Sequence, residues 1–377
     1  MKIQLDKKGS LLNLEEMLHV AEADNSVQAI MVLACEANNF TPDNSDNLFK
    51  NVKKPIFGGI FPQILHNTEN LLQGTIVAGI THKVNTFIVE NISDPHVNPD
   101  KLMEEAFKEL PAVDKTIFLF IDGLSRTIAS LLDSTFNHLG LLSNYIGGGA
   151  GSLTFEPMPC IITSKGLLQD AAIFAFADMG SGIGVAHGWH PVSKPLKITS
   201  SKFNTILSLD WKPAFEVYRG LIADVLHKDV HEITFKEYAR SYPLGIVKVA
   251  DELLVRDPVS SINNSLLCLG ELPQNSFVYV LSGDAGSLLD GARKSRNIAE
   301  NVFYSRIDTK RESKPLTFFI DCITRVQFLG SHFKEELEIA SGGNKLIGAL
   351  SLGEIANSGH DYLEFYTKTS VIALLED

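Results

Sequence analysis

The residues with the clearest potential for chemistry are arginines that follow apolar, strand-like runs. Arg325 lies four residues after Asp321, which closes one such run, and Arg126 repeats this spacing after Asp122. An arginine at the mouth of a strand can hold a carboxylate ligand through a bidentate pair. The alternative is an internal ion pair with the preceding aspartate, because structural ion pairs produce the same pattern more often. Both interpretations stay open at the level of sequence.

Two further charged positions are candidates for the same site. Arg256 precedes Asp257 and Pro258 and carries the same two interpretations as the other arginines. Glu354 follows Gly353 at a predicted strand end, where its carboxylate could take the ammonium group of an amino acid. The alternative is a glutamate exposed in a turn, since glutamates are mostly exposed. Together these residues predict a site for a small anion or zwitterion.

Cys322 closes a predicted strand and is the one cysteine that stands among these candidates. A thiol becomes a nucleophile when a base or a positive environment lowers its pKa. No histidine is adjacent to Cys322 in the sequence, so a buried, structural cysteine is the favoured interpretation. The sequence also lacks GxSxG, HExxH and Walker A motifs. We therefore expect a protein that is not an enzyme.

A glycine cluster follows the apolar lead-in Tyr145-Ile146. It comprises Gly147, Gly148 and Gly149, with Gly151 after a single alanine. Glycine costs backbone entropy, so such a run needs either a turn at positive φ or a close approach to the backbone. We interpret the cluster as one wall of a ligand pocket. A bend between two strands is the alternative.

Haem enters as an alternative cofactor through the family resemblance given below. It needs an axial ligand such as histidine in an apolar pocket, and His187 and His190 flank Gly188-Trp189. The chain has eleven histidines, and a histidine hydrogen-bonded in a turn is the competing interpretation for each of these two. No CxxCH motif is present, which argues against covalent attachment.

The composition of the chain limits the classes of protein to which it can belong. The 377 residues carry a net charge of −12, which disfavours nucleic acid and anionic membranes as partners because both need a basic surface. The four cysteines are far apart and form no CxxC pair, so we expect neither a metal centre nor a disulfide scaffold. The N-terminus lacks the apolar segment of a signal peptide. These features favour a cytoplasmic protein.

The fold is predicted from alternating strand and helix patterns and from an internal repeat. An apolar strand that ends in Asp122 recurs as one that ends in Asp321, and Tyr145-Ile-Gly is matched by Leu346-Ile-Gly. Pro55-Ile-Phe-Gly-Gly is a fainter third copy. Several matches in the same order favour duplication. We expect an α/β to α+β fold, in which two related halves of mixed β-sheets are flanked by helices and enclose a cleft.

The chain resembles the FIST family, a paired arrangement of FIST-N and FIST-C domains. The similarity covers nearly the whole chain from about residue 25. The segments that carry it are residues 147–151 (GGGAG), 188–191 (GWHP), 210–218 (DWKPAFEVY), 254–257 (LVRD), 319–325 (FIDCITR), 352–355 (LGEI) and the final strand that bears Thr369. The resemblance predicts a FIST-N-like domain over residues 1–212 and a FIST-C-like domain over residues 213–377.

The resemblance also implies a function. Family members are sensory modules proposed to bind small ligands, so we expect a sensor for an amino acid or small carboxylate that acts through a separate signalling protein such as a kinase. Some stand-alone bacterial relatives sense nitric oxide through haem, and a protein-interaction adaptor is the third hypothesis. The predicted ligand-binding residues are Gly147, Gly148, Gly149, Gly151, Arg256, Cys322, Arg325, Gly353 and Glu354.

Overall fold

The computed structural model describes residues 1–107, 116–227, 234–248, 252–306, 314–357 and 362–377. Three helices begin at capping groups that the sequence supplies: Ser10 Oγ accepts from the Asn13 N–H, and Thr41 and Thr234 each form a capping box. The helices are α1 (Leu11–Ala23), α2 (Pro42–Lys50), α3 (Pro99–Phe107), α4 (Ile128–Leu139), α5 (Ala214–Leu226), α6 (Phe235–Ser241), α7 (Ala285–Arg306), α8 (Ile323–Leu329) and α9 (Phe333–Ser341). None of the helices in these ranges is both long and apolar enough to cross a membrane.

Strands account for most of the remaining regular structure. They are β1 (Lys2–Asp6), β2 (Ala29–Cys35), β3 (Ile56–Phe61), β4 (Gln63–His66), β5 (Glu69–Leu71), β6 (Thr75–Ile80), β7 (Val84–Glu90), β8 (Thr116–Asp122), β9 (Asn144–Ala150), β10 (Ile161–Thr163), β11 (Gly166–Leu168), β12 (Ala171–Ala177), β13 (Ser181–Ala186), β14 (His190–Pro191), β15 (Leu196–Lys202), β16 (Thr205–Leu209), β17 (Lys212–Pro213), β18 (Leu244–Val247), β19 (Leu253–Arg256), β20 (Pro258–Ile262), β21 (Ser265–Cys268), β22 (Phe277–Ser282), β23 (Leu316–Cys322), β24 (Leu346–Ser351), β25 (Glu354–Ala356), β26 (Glu364–Tyr366) and β27 (Ser370–Leu375). The expected α/β to α+β fold, with mixed sheets flanked by helices, is confirmed.

Three six-stranded sheets share one pattern. Their orders are β1-β6-β2-β3-β10-β11, β7-β12-β8-β9-β25-β26 and β13-β27-β23-β24-β4-β5. In each sheet the third and fourth strands are parallel and all other neighbours are antiparallel. Helices connect each parallel pair, as such crossovers require. The faint third copy in the sequence is thus as complete as the other two.

One glycine in each copy explains why the repeat is recognisable. A Cβ built on Gly147 would lie 1.7 Å from the Leu119 carbonyl oxygen on the parallel neighbour strand. The equivalent distances are 1.8 Å for Gly348 and 1.8 Å for Gly58. No side chain fits so close to a backbone carbonyl, so the position is restricted to glycine in all three sheets. The predicted correspondence of Gly147 with Gly348 is confirmed.

The predicted correspondence of Arg126 with Arg325 is wrong. Leu119 pairs with Gly147, and Phe319 pairs with Gly348, so these two residues are equivalent. Arg126 lies seven residues after Leu119, whereas Arg325 lies six residues after Phe319. Five residues, 123–127, precede α4, but α8 begins directly after β23. The two arginines therefore occupy different environments: Arg126 is exposed and Arg325 is fully buried.

Exchanged hairpins link the three sheets. After each parallel pair the chain leaves its own sheet and adds a hairpin to the next: β4-β5 pairs with β24, β10-β11 with β3, and β25-β26 with β9. A sheet of nine strands, from β14 to β22, also joins both sides of residue 213. The division between residues 212 and 213 stays a prediction, since three of the four sheets in the described part of the chain contain strands from both sides of it.

The core lies where the three sheets meet. Phe57, Phe118 and Phe318 come from different sheets, and the ring of Phe118 lies 5.7 Å from that of Phe57 and 5.5 Å from that of Phe318. All three side chains are fully buried. This aromatic cluster fixes the sheets against one another and so fixes the strand ends that carry the candidate site.

Candidate functional site

A cavity of about 480 Å³ opens beyond the carboxyl end of β8, the strand end at which ligands commonly bind in α/β sheets. Its volume falls in the usual range of ligand pockets, roughly 300–1,000 Å³. Residues from before and after position 213 contribute to its walls. The lining residues are Gly123, Leu124, Ser125, Arg126, Ile128, Ala129, Leu132, Asp133, Lys202, Phe203, Asn204, Arg256, Leu269, Gly270, Glu271, Leu363, Glu364 and Phe365.

One end of the cavity is suited to an anion. Arg126 is exposed there, and its guanidinium group has no ion pair or hydrogen bond within the described part of the chain. The first turn of α4 follows it. Thr127 does not cap this helix, because its hydroxyl donates to the Ile92 carbonyl instead. The N–H groups of Ile128 and Ala129, which have no intrahelical acceptor, add positive potential at this end.

Of the nine residues predicted to bind the ligand, Arg256 is the one that lines the cavity, together with the further candidate Arg126. The Arg256 side chain is 4% exposed, and carbonyl oxygens hold two of its three nitrogens. Nε donates to Glu271 O at 3.0 Å, and Nη1 donates to Phe365 O at 2.8 Å and to Val255 O at 3.2 Å. Gly270 permits this packing, because a Cβ there would lie 2.8 Å from Nε. Nη2 has no acceptor among the residues with described positions, so it is available to a ligand.

Carboxylates gather at another part of the wall. Partial burial of the exposed-edge residue Asp133 raises its pKa, and the neighbouring Glu364 raises it further. Burial also raises the pKa of Glu271, which Arg256 lowers and Asp133 raises. Lys248 pairs with Glu364, whereas the carboxylates of Asp133 and Glu271 have no ion pair within the described ranges. This acidic cluster attracts a cationic group.

The lip of the cavity is the tip of the β15-β16 hairpin. Phe203 stands there at φ +52°, a conformation that bulky residues rarely adopt, and 61% of its side chain is exposed. Its carbonyl oxygen accepts from the Leu272 N–H at 3.1 Å, and that of Asn204 accepts from the Cys268 N–H at 2.9 Å. The hairpin tip is therefore fixed against the segment that carries Glu271.

The predicted glycine wall lies one layer behind the cavity. A Cβ on Gly149 would lie 2.9 Å from the Gly123 Cα, and one on Gly353 would lie 2.1 Å from the Phe365 ring. Gly123 and Phe365 are themselves cavity walls. Gly148 is equally enclosed, since its Cβ would meet the Gly353 carbonyl oxygen at 2.9 Å. The protein's own chain occupies the space that we assigned to a ligand.

Gly151 is the member of the cluster with a left-handed backbone, at φ +139°. Its N–H donates to Ile60 O at 2.8 Å, and a Cβ there would lie 2.8 Å from the Leu352 side chain. It forms the bend between two strands, as the alternative interpretation of the cluster expects, whereas Gly147, Gly148 and Gly149 permit close packing.

Arg325 is held by internal partners and does not line the cavity. Its Nε lies 3.1 Å from both Asp321 Oδ1 and Glu336 Oε1, and Nη2 also pairs with Glu336. Nη1 donates to His187 O at 2.7 Å, and Nη2 donates to Leu288 O at 3.0 Å. The internal ion pair that the sequence offered as the alternative accounts for this residue.

Cys322 and Glu354 are buried beside that ion pair. Burial raises the pKa of the Cys322 thiol well above its ordinary value, and Sγ lies 3.2 Å from Thr324 Oγ1. Burial also raises the pKa of Glu354 to about 8. Its oxygens accept from Ser351 Oγ at 3.0 Å and from the Thr369 N–H at 3.2 Å. The alternative of a glutamate exposed in a turn is wrong, because the Glu354 carboxyl is fully enclosed, and Glu354 does not line the cavity.

His187 and His190 do not fit the axial ligand of a haem in this cavity. Both ring nitrogens of His187 are engaged, because Nδ1 accepts from the Trp189 N–H at 2.9 Å and Nε2 lies 3.1 Å from Leu253 O. Burial lowers the pKa of His187 to about 4, which keeps it neutral. His190 is exposed on β14, away from the cavity lining. Among the residues that the structure describes, the lining of the cavity includes no histidine, cysteine, methionine or tyrosine.

Sequence reasoning missed most of the cavity. Asp133, Glu271 and Glu364 come from three distant segments, and none stands next to a recognisable motif. A usable signal was the end of β8 at Asp122-Gly123, because ligands in α/β sheets bind beyond the carboxyl ends of strands. Of the two arginines Arg126 and Arg325, the one that follows this strand end is Arg126, which lines the cavity.

Family comparisons agree with this architecture. The FIST N domain model matches residues 39–212, and the FIST C domain model matches residues 214–357. The two matches are adjacent and together cover most of the chain, so the protein belongs to the FIST family, in the tandem arrangement of both domains. No curated protein matches the chain.

Proposed function

We propose that this protein is a cytoplasmic sensor that binds a small carboxylate or amino-acid-like ligand in the cavity beyond β8. The observation that carries the proposal is the unpaired guanidinium of Arg126, within the described part of the chain, beside the uncapped first turn of α4. Anion binding at a helix N-terminus uses N–H groups that are otherwise unsatisfied. Arg256 Nη2 supplies a second, buried donor in the same cavity.

The position of the cavity suits a sensor. Residues from both family-model matches form its walls, and the glycine cluster packs directly behind Gly123 and Phe365. A ligand that binds the folded state alone stabilises it, and here the stabilisation would act on elements that several sheets share. A separate signalling protein, such as a kinase, would read this change.

The proposal includes binding without catalysis in a reducing compartment. The raised pKa of Cys322 keeps its thiol protonated and unsuited to nucleophilic attack. All four cysteines are free and buried, which suits the cytoplasm. A haem-based sensor is less well supported, because the described residues that line the cavity include no axial ligand types. No specific observation favours the adaptor hypothesis.

The test is a thermal-shift screen of amino acids and small carboxylates on the wild type, Arg126→Met and Arg293→Met. Arg293 is an exposed arginine of α7 that pairs with Asp290, and it serves as the matched control. A hydrogen bond to a charged group is worth roughly 1.5–3 kcal/mol, so loss of Arg126 should weaken binding about tenfold to a hundredfold. If no compound stabilises the wild type, or if Arg126→Met responds like the wild type, the proposal is wrong.

A further inference from the structure

We infer that the ligand is an elongated zwitterion, with its carboxylate and its cationic group at opposite ends of an apolar body. A short peptide with free termini has this chemistry, whereas an α-amino acid does not. The inference rests on the proposed function and adds the ligand class. Its basis is the separation of two charged regions along α4.

Helix α4 sets this separation. Its first turn and the preceding Arg126 form the anion-binding end of the cavity, and Asp133 lines the cavity five residues after Ile128. At a rise of about 1.5 Å per residue, Asp133 lies about 7.5 Å along the axis from Ile128. Arg126 is two residues further back. These backbone positions place the opposite charges of a ligand that reaches both regions on the order of 10 Å apart.

The surface between the two charged regions is apolar. Ala129 and Leu132 line the cavity on α4 between Arg126 and Asp133, and Leu363 and Phe365 line it on the side of β26. An ammonium group placed here would lose its water without gaining a partner, which is costly. The two charged groups of an α-amino acid share one carbon, so that ligand cannot reach both regions.

The acidic end holds three carboxylates near two cations. Glu364 raises the pKa of Asp133, and Asp133 raises that of Glu271, by like-charge repulsion; neither Asp133 nor Glu271 has an ion pair within the described residues. Lys248, which pairs with Glu364, lowers the pKa of Asp133, and Arg256, whose Nε and Nη1 donate to carbonyl oxygens, lowers that of Glu271, so the repulsion is only partly offset. A ligand amine would relieve this repulsion, so the cavity selects a cation at this end.

A peptide series tests the length requirement. We would measure dissociation constants by calorimetry for alanine, dialanine, trialanine and N-acetyl-trialanine. An extended chain spans about 3.3–3.6 Å per residue, so trialanine matches the roughly 10 Å separation. We expect trialanine to bind at least tenfold more tightly than alanine, and N-acetylation to remove most of that gain.

Two variants assign the ends of the ligand. Asp133→Asn should weaken trialanine about tenfold and leave N-acetyl-trialanine unchanged, whereas Arg126→Met should weaken both peptides. Asp133 is exposed on α4, so the variant should fold, and Asp290→Asn on α7 is the surface control.

The outcomes separate the two claims. If alanine binds as tightly as trialanine and Arg126→Met loses this binding, the length requirement is wrong but the proposed function stands. Equal binding of the free and N-acetylated peptides also overturns the inference, because it removes the cation site. Failure of the amino acids, the peptides and the simple carboxylates to bind overturns both claims.

Discussion

Replacing Gly147 with alanine should prevent stable folding. The new Cβ would lie 1.7 Å from the Leu119 carbonyl oxygen and 2.5 Å from its carbon, in a parallel strand pair that extends over seven residue positions. Real Cβ atoms do not approach within 3.0 Å, so the strands must separate by more than 1 Å. A separation of that size breaks the neighbouring N–H···O bonds, because such bonds weaken steeply beyond about 3.2 Å.

The magnitude follows from what the separation disrupts. Each lost backbone hydrogen bond costs about 1 kcal/mol, and more where the groups stay buried. The shift also disturbs the packing of Phe118, the member of the aromatic cluster that lies on β8. We expect a total loss above about 4 kcal/mol, a large part of the roughly 5–15 kcal/mol that stabilises a typical domain.

Urea unfolding followed by circular dichroism measures this loss, with Gly220→Ala as the control. Gly220 lies within α5, and a Cβ built there would meet no atom within 4 Å beyond its own stretch of helix. That substitution should leave stability unchanged or raise it by about 0.5–1 kcal/mol. A Gly147→Ala protein that unfolds within about 1 kcal/mol of the wild type, but no longer binds ligand, would refute the packing account and restore the ligand-wall interpretation.

Two further predictions concern the buried charges. Arg325→Met should cost about 3–5 kcal/mol in urea unfolding, because it leaves Asp321 and Glu336 buried without their counter-ion; stability equal to the wild type would contradict the ion-pair assignment. Burial raises the pKa of Glu354 to about 8, so the folded state keeps a proton that the unfolded state releases near pH 4.5. Stability from this group is therefore fully present below about pH 4.5 and is lost as pH rises through about 8. Glu354→Gln should flatten the fall in melting temperature between pH 5 and 9, and an unchanged slope would refute this assignment.

Local patterns in the sequence determined the fold class and the repeat. Apolar runs such as Thr116–Asp122 form strands because every side chain in them can be buried, and glycine at position 147 recurs at 348 because both approach a neighbouring carbonyl. These requirements act between residues that are close in the chain or in paired strands. They restrict which residue types can occupy these positions, so the sequence alone predicts them.

Tertiary structure decided which of the candidate residues meet at a cavity. The sequence pattern gave Arg126 and Arg325 the same interpretation. However, α8 starts directly after β23 and places Arg325 in the core, where it pairs with Glu336 and Asp321. The loop 123–127 keeps Arg126 at the surface of the cavity. Burial and charge pairing depend on what packs against a residue from distant segments, such as Glu271 in the loop after β21, and residue type and spacing do not encode that information.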